Sequence, residues 1–141
     1  MPAKKILRLK EEDKFDFQLI GIVCQHKDYR LCMSLNKKLH LNLCKQDEYS
    51  VFNNKRMEDQ TFSFYEYVDE EEDRYNLISN RSVKGYLLPE QKQIDYLFLM
   101  RLIRRRLDTQ EVLAALKDIT VVLGAYPLEL STLKSRENLV F

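Results

Sequence analysis

The sequence predicts an α+β domain: an antiparallel sheet with two helices packed on one face, in a ferredoxin-like or closely related sandwich. Three observations carry this expectation. Residues 26–39 and 108–119 place apolar side chains at helical spacing. Other short stretches alternate, or run continuously apolar, in the manner of strands. Their order is strand, helix, strand meander, helix, strand, and helices with one apolar stripe must lie flat on a sheet.

Taken in order, Lys4–Leu9 reads as a short strand with Ile6 apolar among lysines, and Phe15–Cys24 as a longer one rich in Phe, Ile and Val, although its Leu19-Ile20-Gly21-Ile22 centre also suits a helix. From His26 to Leu39 the period changes. Leu31, Leu35 and Leu39 fall at i, i+4 and i+8 with Cys32 beside them, while Lys27, Arg30, Lys37 and Lys38 point away. This is an amphipathic helix of about four turns. Tyr49–Phe52 is a short strand with Asn53-Asn54 as its turn. Thr61–Tyr67 reads as one strand, with Phe62 and Phe64 on one face and Tyr65 and Tyr67 on the other. Val68–Asp73 is an acidic turn, Arg74–Asn80 returns, and Gly85 lies in the next loop. Pro89 excludes its own position from a central ladder.

Ile94–Ile103 is apolar on both alternating faces, the pattern of a strand in the centre of a sheet. Asp108 then stands as an N-cap, with Glu111 three residues on to close a capping box. Val112, Leu113, Leu116 and Ile119 form the second helical stripe. Val121–Tyr126 is the last strand, stopped by Pro127. No repeat or linker divides the chain, so residues 1–141 are expected to form a single domain.

Composition narrows the function classes. Hydrophobic residues at 45% and charged ones at 32% exclude a disordered chain. Lysine plus arginine number 23 against 22 acids, so there is no global attraction to nucleic acid or acidic membranes. Cys24, Cys32 and Cys44 are odd in number and widely spaced, which suits reduced thiols and neither a disulfide framework nor a metal pair. The N-terminus lacks the apolar stretch of a signal peptide. The longest apolar run, from Ile94 to Ile103, is interrupted by Asp95 and Arg101 and is far short of a membrane span. A cytoplasmic location is the expectation.

Leu88-Pro89-Glu90-Gln91-Lys92-Gln93-Ile94-Asp95-Tyr96 resembles the signature of the IPExxxVDY family, with Leu88 for its Ile and Ile94 for its Val. The resemblance continues in KDYRLCMSLNKKL, FSFYEY, LISN and KSRENLVF, and so covers nearly the whole chain; the stretch around Arg104-Arg105-Arg106 departs from it. It implies a small bacterial cytoplasmic protein and supplies no catalytic residues, since the family has no assigned function.

Within the signature, Glu90 and Asp95 beside a proline turn could hold a cation or act as an acid–base pair. The plainer reading makes Pro89 a turn, lets Glu90 cap an exposed N–H, and packs Tyr96 inward. Asp95 shares a strand face with Leu97 and Leu99 and needs a partner if buried. Arg30, at the start of the first helix, suits an anion site, or else is solvated or paired with Asp95 or Glu90. Asn36, at the edge of an apolar stripe, binds either a ligand or a loop's backbone. Arg101, Arg104, Arg105 and Arg106, combined with Tyr65, Tyr67 and Tyr75 on an open sheet face, would suit RNA. The acidic run from Asp69 to Asp73 opposes that reading.

His26 and His40 lie at opposite ends of the first helix, about 21 Å apart at 1.5 Å per residue, too far to share a metal. Cys24 and His26, two apart on a strand, are weak grounds for a nucleophile. Phosphate-loop and hydrolase motifs are missing from the sequence, and neither a cofactor nor a metal is expected.

The leading functional expectation is a non-catalytic interaction module. Leu97 and Leu99 lie opposite Tyr96 and Phe98 and require a cover: the segment Leu128–Phe141, a second subunit as in a homodimer, or a protein partner. RNA binding is second. A small-molecule enzyme is third, and requires a concave pocket holding at least two of Glu90, Asp95, Arg30 and Asn36.

Overall fold

The computed structural model describes residues 15–103 and 108–141. The expected strand at Lys4–Leu9 and the residues Arg104, Arg105 and Arg106 lie outside the described residues. In chain order the elements are β1 (Gln18–Val23), α1 (Asp28–Leu39), β2 (Cys44–Lys45), β3 (Tyr49–Asn53), β4 (Glu58–Phe62) and β5 (Phe64–Val68). There follow β6 (Arg74–Ser79), β7 (Arg81–Ser82), β8 (Gly85–Tyr86), β9 (Tyr96–Arg101), α2 (Thr109–Lys117) and β10 (Gly124–Leu128). Short 3-10 turns occupy Pro89–Gln91, Leu130–Thr132 and Arg136–Leu139.

Among the described residues the main sheet has six strands in the order β10-β1-β9-β6-β5-β2, and each pairing is antiparallel. β3 with β4 and β7 with β8 form separate two-stranded ribbons. The chain is thus mixed α+β, with an antiparallel sheet and two helices.

Alternation along β9 divides the core in two. Tyr96, Phe98 and Met100 face both helices, where they meet Leu31 and Leu35 of α1 and Val112 and Leu116 of α2. Leu97 and Leu99 face the other way and are buried with Phe62 of β4, Leu87, Leu88, Leu133 and Leu139. The cover that these leucines require is supplied within the chain, by its C-terminal segment and the β3–β4 ribbon. Full burial of such a side chain stabilises by about 1.5–3 kcal/mol, which makes β9 the anchor of both layers. Gly21 of β1 belongs to the second layer. A Cβ there would stand 2.7 Å from Cδ1 of Ile94, so its lack of a side chain lets the signature pack onto the sheet.

Four local expectations need correction. Thr61–Tyr67 breaks at Ser63, so that β4 pairs with β3 while β5 joins the main sheet. Tyr65 and Tyr75 lie beneath the helices in the core, with Tyr67 packed against them, and form no open aromatic face. Asp108 occupies the N-cap of α2 without a side-chain capping bond, and no capping box forms. At an exposed helix start the first-turn N–H groups are left to solvent. The last strand runs through Pro127, which sits opposite Ile20, because among the described residues β10 pairs with β1 alone and an edge strand tolerates proline.

Candidate functional site

The signature is assembled around a residue that its pattern does not include. Asn80, fully buried, donates from Nδ2 to the carbonyls of Gln91 (2.9 Å) and Ile94 (2.8 Å). Its Oδ1 accepts the N–H of Leu88 at 2.8 Å. Its backbone adds a further pair: Leu87 N–H donates to the Asn80 carbonyl, and Asn80 N–H to that of Asp95. A side-chain amide has two donors and one acceptor oxygen, and here each is engaged. Pro89 opens the 3-10 turn at a position where a missing N–H costs nothing.

The polar signature residues reach out from this hub. Glu90 Oε2 accepts the N–H of Ser135 at 2.7 Å and so fastens the C-terminal segment. Partial burial raises its carboxyl pKa, but N–H groups of Glu90, Ser135 and Lys134 and the Ser135 hydroxyl outweigh that, leaving it below the usual glutamate range. Nearby, Asn138 donates to the Leu87 carbonyl at 2.9 Å, and Tyr49 donates to the Asn138 carbonyl at 2.7 Å.

Asp95 and Tyr96 both hold the connection between β1 and α1. Asp95 Oδ2 accepts the N–H of Cys24 at 2.9 Å, while its Oδ1 faces Nε of Arg81 at 2.8 Å. The Tyr96 hydroxyl donates to the His26 carbonyl at 2.6 Å. Burial, with Cys24, Asp28 and Asp95 nearby, pushes that hydroxyl's pKa up and keeps it a neutral donor. Burial likewise raises the Cys24 thiol, with Asp95 adding to the effect. A thiol so placed is a poor nucleophile.

Asn36 ties a loop, as its plainer reading holds. Its Oδ1 accepts Leu43 N–H at 2.8 Å and its Nδ2 donates to the Leu43 carbonyl at 3.1 Å, folding the chain back after α1. Arg30 is exposed, in keeping with its solvated reading, and pairs with neither Asp95 nor Glu90. The cation beside Asp95 is Arg81, which no sequence pattern marked. Asp73 was also missed: it is buried, and its Oδ1 accepts the N–H of Ile103 at 2.6 Å.

Two open concavities bear on function. A cleft of about 480 Å³ at the end of β1 holds Cys24, His26, Arg81, Gln93, Asp95 and Tyr96. Of the four residues that a small-molecule site was expected to combine, it contains Asp95 but not Glu90, Arg30 or Asn36. The second is a groove of about 690 Å³ between α1 and the connection from α2 to β10, lined by Arg30, Lys37, Lys38 and His40 over Ile119 and Val121. Lys38 pairs with Asp118 there at 2.5 Å, and this contact holds the Asp118 carboxyl below its usual range.

Among the described residues no cluster of three His, Cys, Asp or Glu side chains could hold a metal, and no helix is long and apolar enough to cross a membrane. The RNA reading loses its stacking platform. Arg101 lies with its guanidinium 5.2 Å over the Phe17 ring, on the face of β9 opposite Tyr75, and Arg104 to Arg106 lie outside the described residues. The chain matches no protein-family model and no curated protein sequence.

Proposed function

We propose that this protein is a non-catalytic, cytoplasmic interaction module that meets a protein partner through the outer side of α1. The observation that carries this reading is on that helix: Tyr29 and Met33 stand 59% and 70% exposed. They are four residues apart and share one face. Large apolar side chains at this spacing are the anchors by which a helix docks on a partner. The signature, by contrast, spends its polar side chains on bonds inside the fold, which favours a binding role over a catalytic one.

The family and the finer fold belong to the same proposal. Membership of the IPExxxVDY family rests on the signature and its flanking stretches. A ferredoxin-like core is supported by the order β1, α1, β6, β9, α2, β10 with spatial neighbours β10-β1-β9-β6. The covered state of Leu97 and Leu99 favours a separate partner over a dimer formed through the sheet.

The test compares tagged wild-type protein with a Tyr29→Ser/Met33→Ser variant in quantitative affinity capture from the native cell. The expected result is a protein retained by wild type and depleted with a variant of unchanged Tm. Identical captures from both would overturn the reading.

A further inference from the structure

We infer that the groove between α1 and the α2–β10 connection seats an acidic, partly apolar peptide segment of that partner. This rests on the interaction-module reading and names the chemistry of what is bound. Arg30, Lys37 and Lys38 line the groove against the single acid Asp118, although the whole chain carries a net charge of +1. Positive charge is therefore gathered here and balanced elsewhere.

The cations differ in their commitments. Lys38 is fixed by Asp118, whereas Arg30 and Lys37 have no ion-pair partner among the described residues. Both are exposed, on one side of α1, and share the groove lining with Ile119 and Val121. His40 closes the end of the helix with φ of 56°, a left-handed conformation that favours glycine. Its imidazole joins the groove lining.

The occupant's chemistry follows from what lies beside the charges. Tyr29, Met33 and Lys37 fall at i, i+4 and i+8, next to the row of Arg30, Ser34 and Lys38. A peptide with carboxylates in the groove and a bulky apolar residue over Met33 would use both rows at once. A nucleic acid fits less well: the one ring in the groove lining is the small imidazole of His40, and Asp118 would face its phosphates.

The experiment is fluorescence anisotropy with a labelled peptide of alternating glutamate and leucine, its glutamine counterpart, and a single-stranded RNA oligomer. Each is titrated with wild type, with Arg30→Glu/Lys37→Glu, and with the milder Arg30→Gln/Lys37→Gln in case charge reversal impairs folding. The glutamate peptide should bind saturably, weaken as salt rises, and lose about tenfold or more in affinity in the charge-altered proteins. The glutamine peptide should bind poorly. Absence of binding to wild type at low salt, equal affinity in the variants, or tighter binding of RNA would overturn the inference. So would self-association that charge reversal abolishes, since the chain's own acidic turn would then be the occupant. If the peptide fails while the Tyr29/Met33 variant still loses a captured partner, the groove assignment falls and the module reading stands.

Discussion

The carboxylate of Asp95 and the backbone N–H of Cys24 meet at 2.9 Å across 71 residues of sequence. The other carboxylate oxygen faces Arg81, so one side chain joins the end of β1 to the chain that follows β6. The signature is in this respect a fastening, and its parts can be loosened separately.

Asp95→Ala should destabilise the protein by about 1–3 kcal/mol, because it leaves the Cys24 N–H without its acceptor in a partly buried place. Asp95→Asn retains an acceptor oxygen and loses the charge opposite Arg81, so its cost should be smaller. Urea denaturation reads both; an alanine variant as stable as wild type would show that Asp95 is not fastening this joint.

Replacement of Asn80 should be more severe. Alanine removes two donors and one acceptor from the buried Ile94 carbonyl and Leu88 N–H and the part-buried Gln91 carbonyl, a loss of about 3 kcal/mol or more if each unmet group costs about 1–3 kcal/mol. Asn80→Asp should rescue nothing, since a carboxylate would turn an acceptor toward the carbonyls of Gln91 and Ile94. Equal stability of the aspartate variant and wild type, measured by chemical denaturation, would contradict this geometry.

Glu90 predicts a pH dependence of definite sign. Its folded pKa lies below the usual glutamate range, so its contribution is present at neutral pH and is lost as pH falls through the depressed value. Glu90→Gln should therefore lower stability at neutral pH, by less than about 1 kcal/mol at so exposed a position. The two proteins should converge in acid. A gap that widens as pH falls would reverse the assignment.

The thiols should react in order of exposure. Burial first, then Cys44 and Asp28, pushes Cys32 up to about 11, and Cys24 is raised as well, whereas Cys44 is exposed. Alkylation of the native protein at mildly alkaline pH, followed by mass spectrometry, should label Cys44 first. Cys24 and Cys32 should follow only as the fold opens. Labelling of Cys24 as fast as Cys44 would revive the pairing of Cys24 with His26 as a nucleophile.

Deleting residues 133–141 strips Leu133 and Leu139 from Leu97 and Leu99 and removes the Phe141 ring from its edge contacts with Tyr49 and Phe64. The truncated protein should associate in a concentration-dependent way in light scattering. A monodisperse product would mean that the β3–β4 ribbon is cover enough.

Much of the fold is legible from local spacing. The stripe Leu31, Leu35, Leu39 marks α1, and the doubly apolar run around Phe98 marks the central strand. The break at Ser63 is not legible, because Phe62 and Phe64 keep one alternation while their strands pair with different neighbours. Pro127 misleads for a related reason: a proline ends a central strand but not an edge, and which strand is the edge is decided by the whole sheet. Of the candidate site, Asn36 and Glu90 met the local bonds that their plainer readings imply. Arg81 carried no mark, and Asn80 was visible only as the end of a strand and of the stretch LISN, with no role attached.

The signature shows where the division falls. Pro89 was readable as a turn, and Ile94 and Tyr96 as apolar residues of a central strand, from residue types and order, since burial follows a period that a few neighbouring residues reveal. What Asp95 touches was not. A buried carboxylate takes whichever N–H or cation folding brings within about 3 Å, and here Cys24 and Arg81 arrive from β1 and from beyond β6. The sequence determined that Asp95 needed a partner; only the tertiary structure decided which.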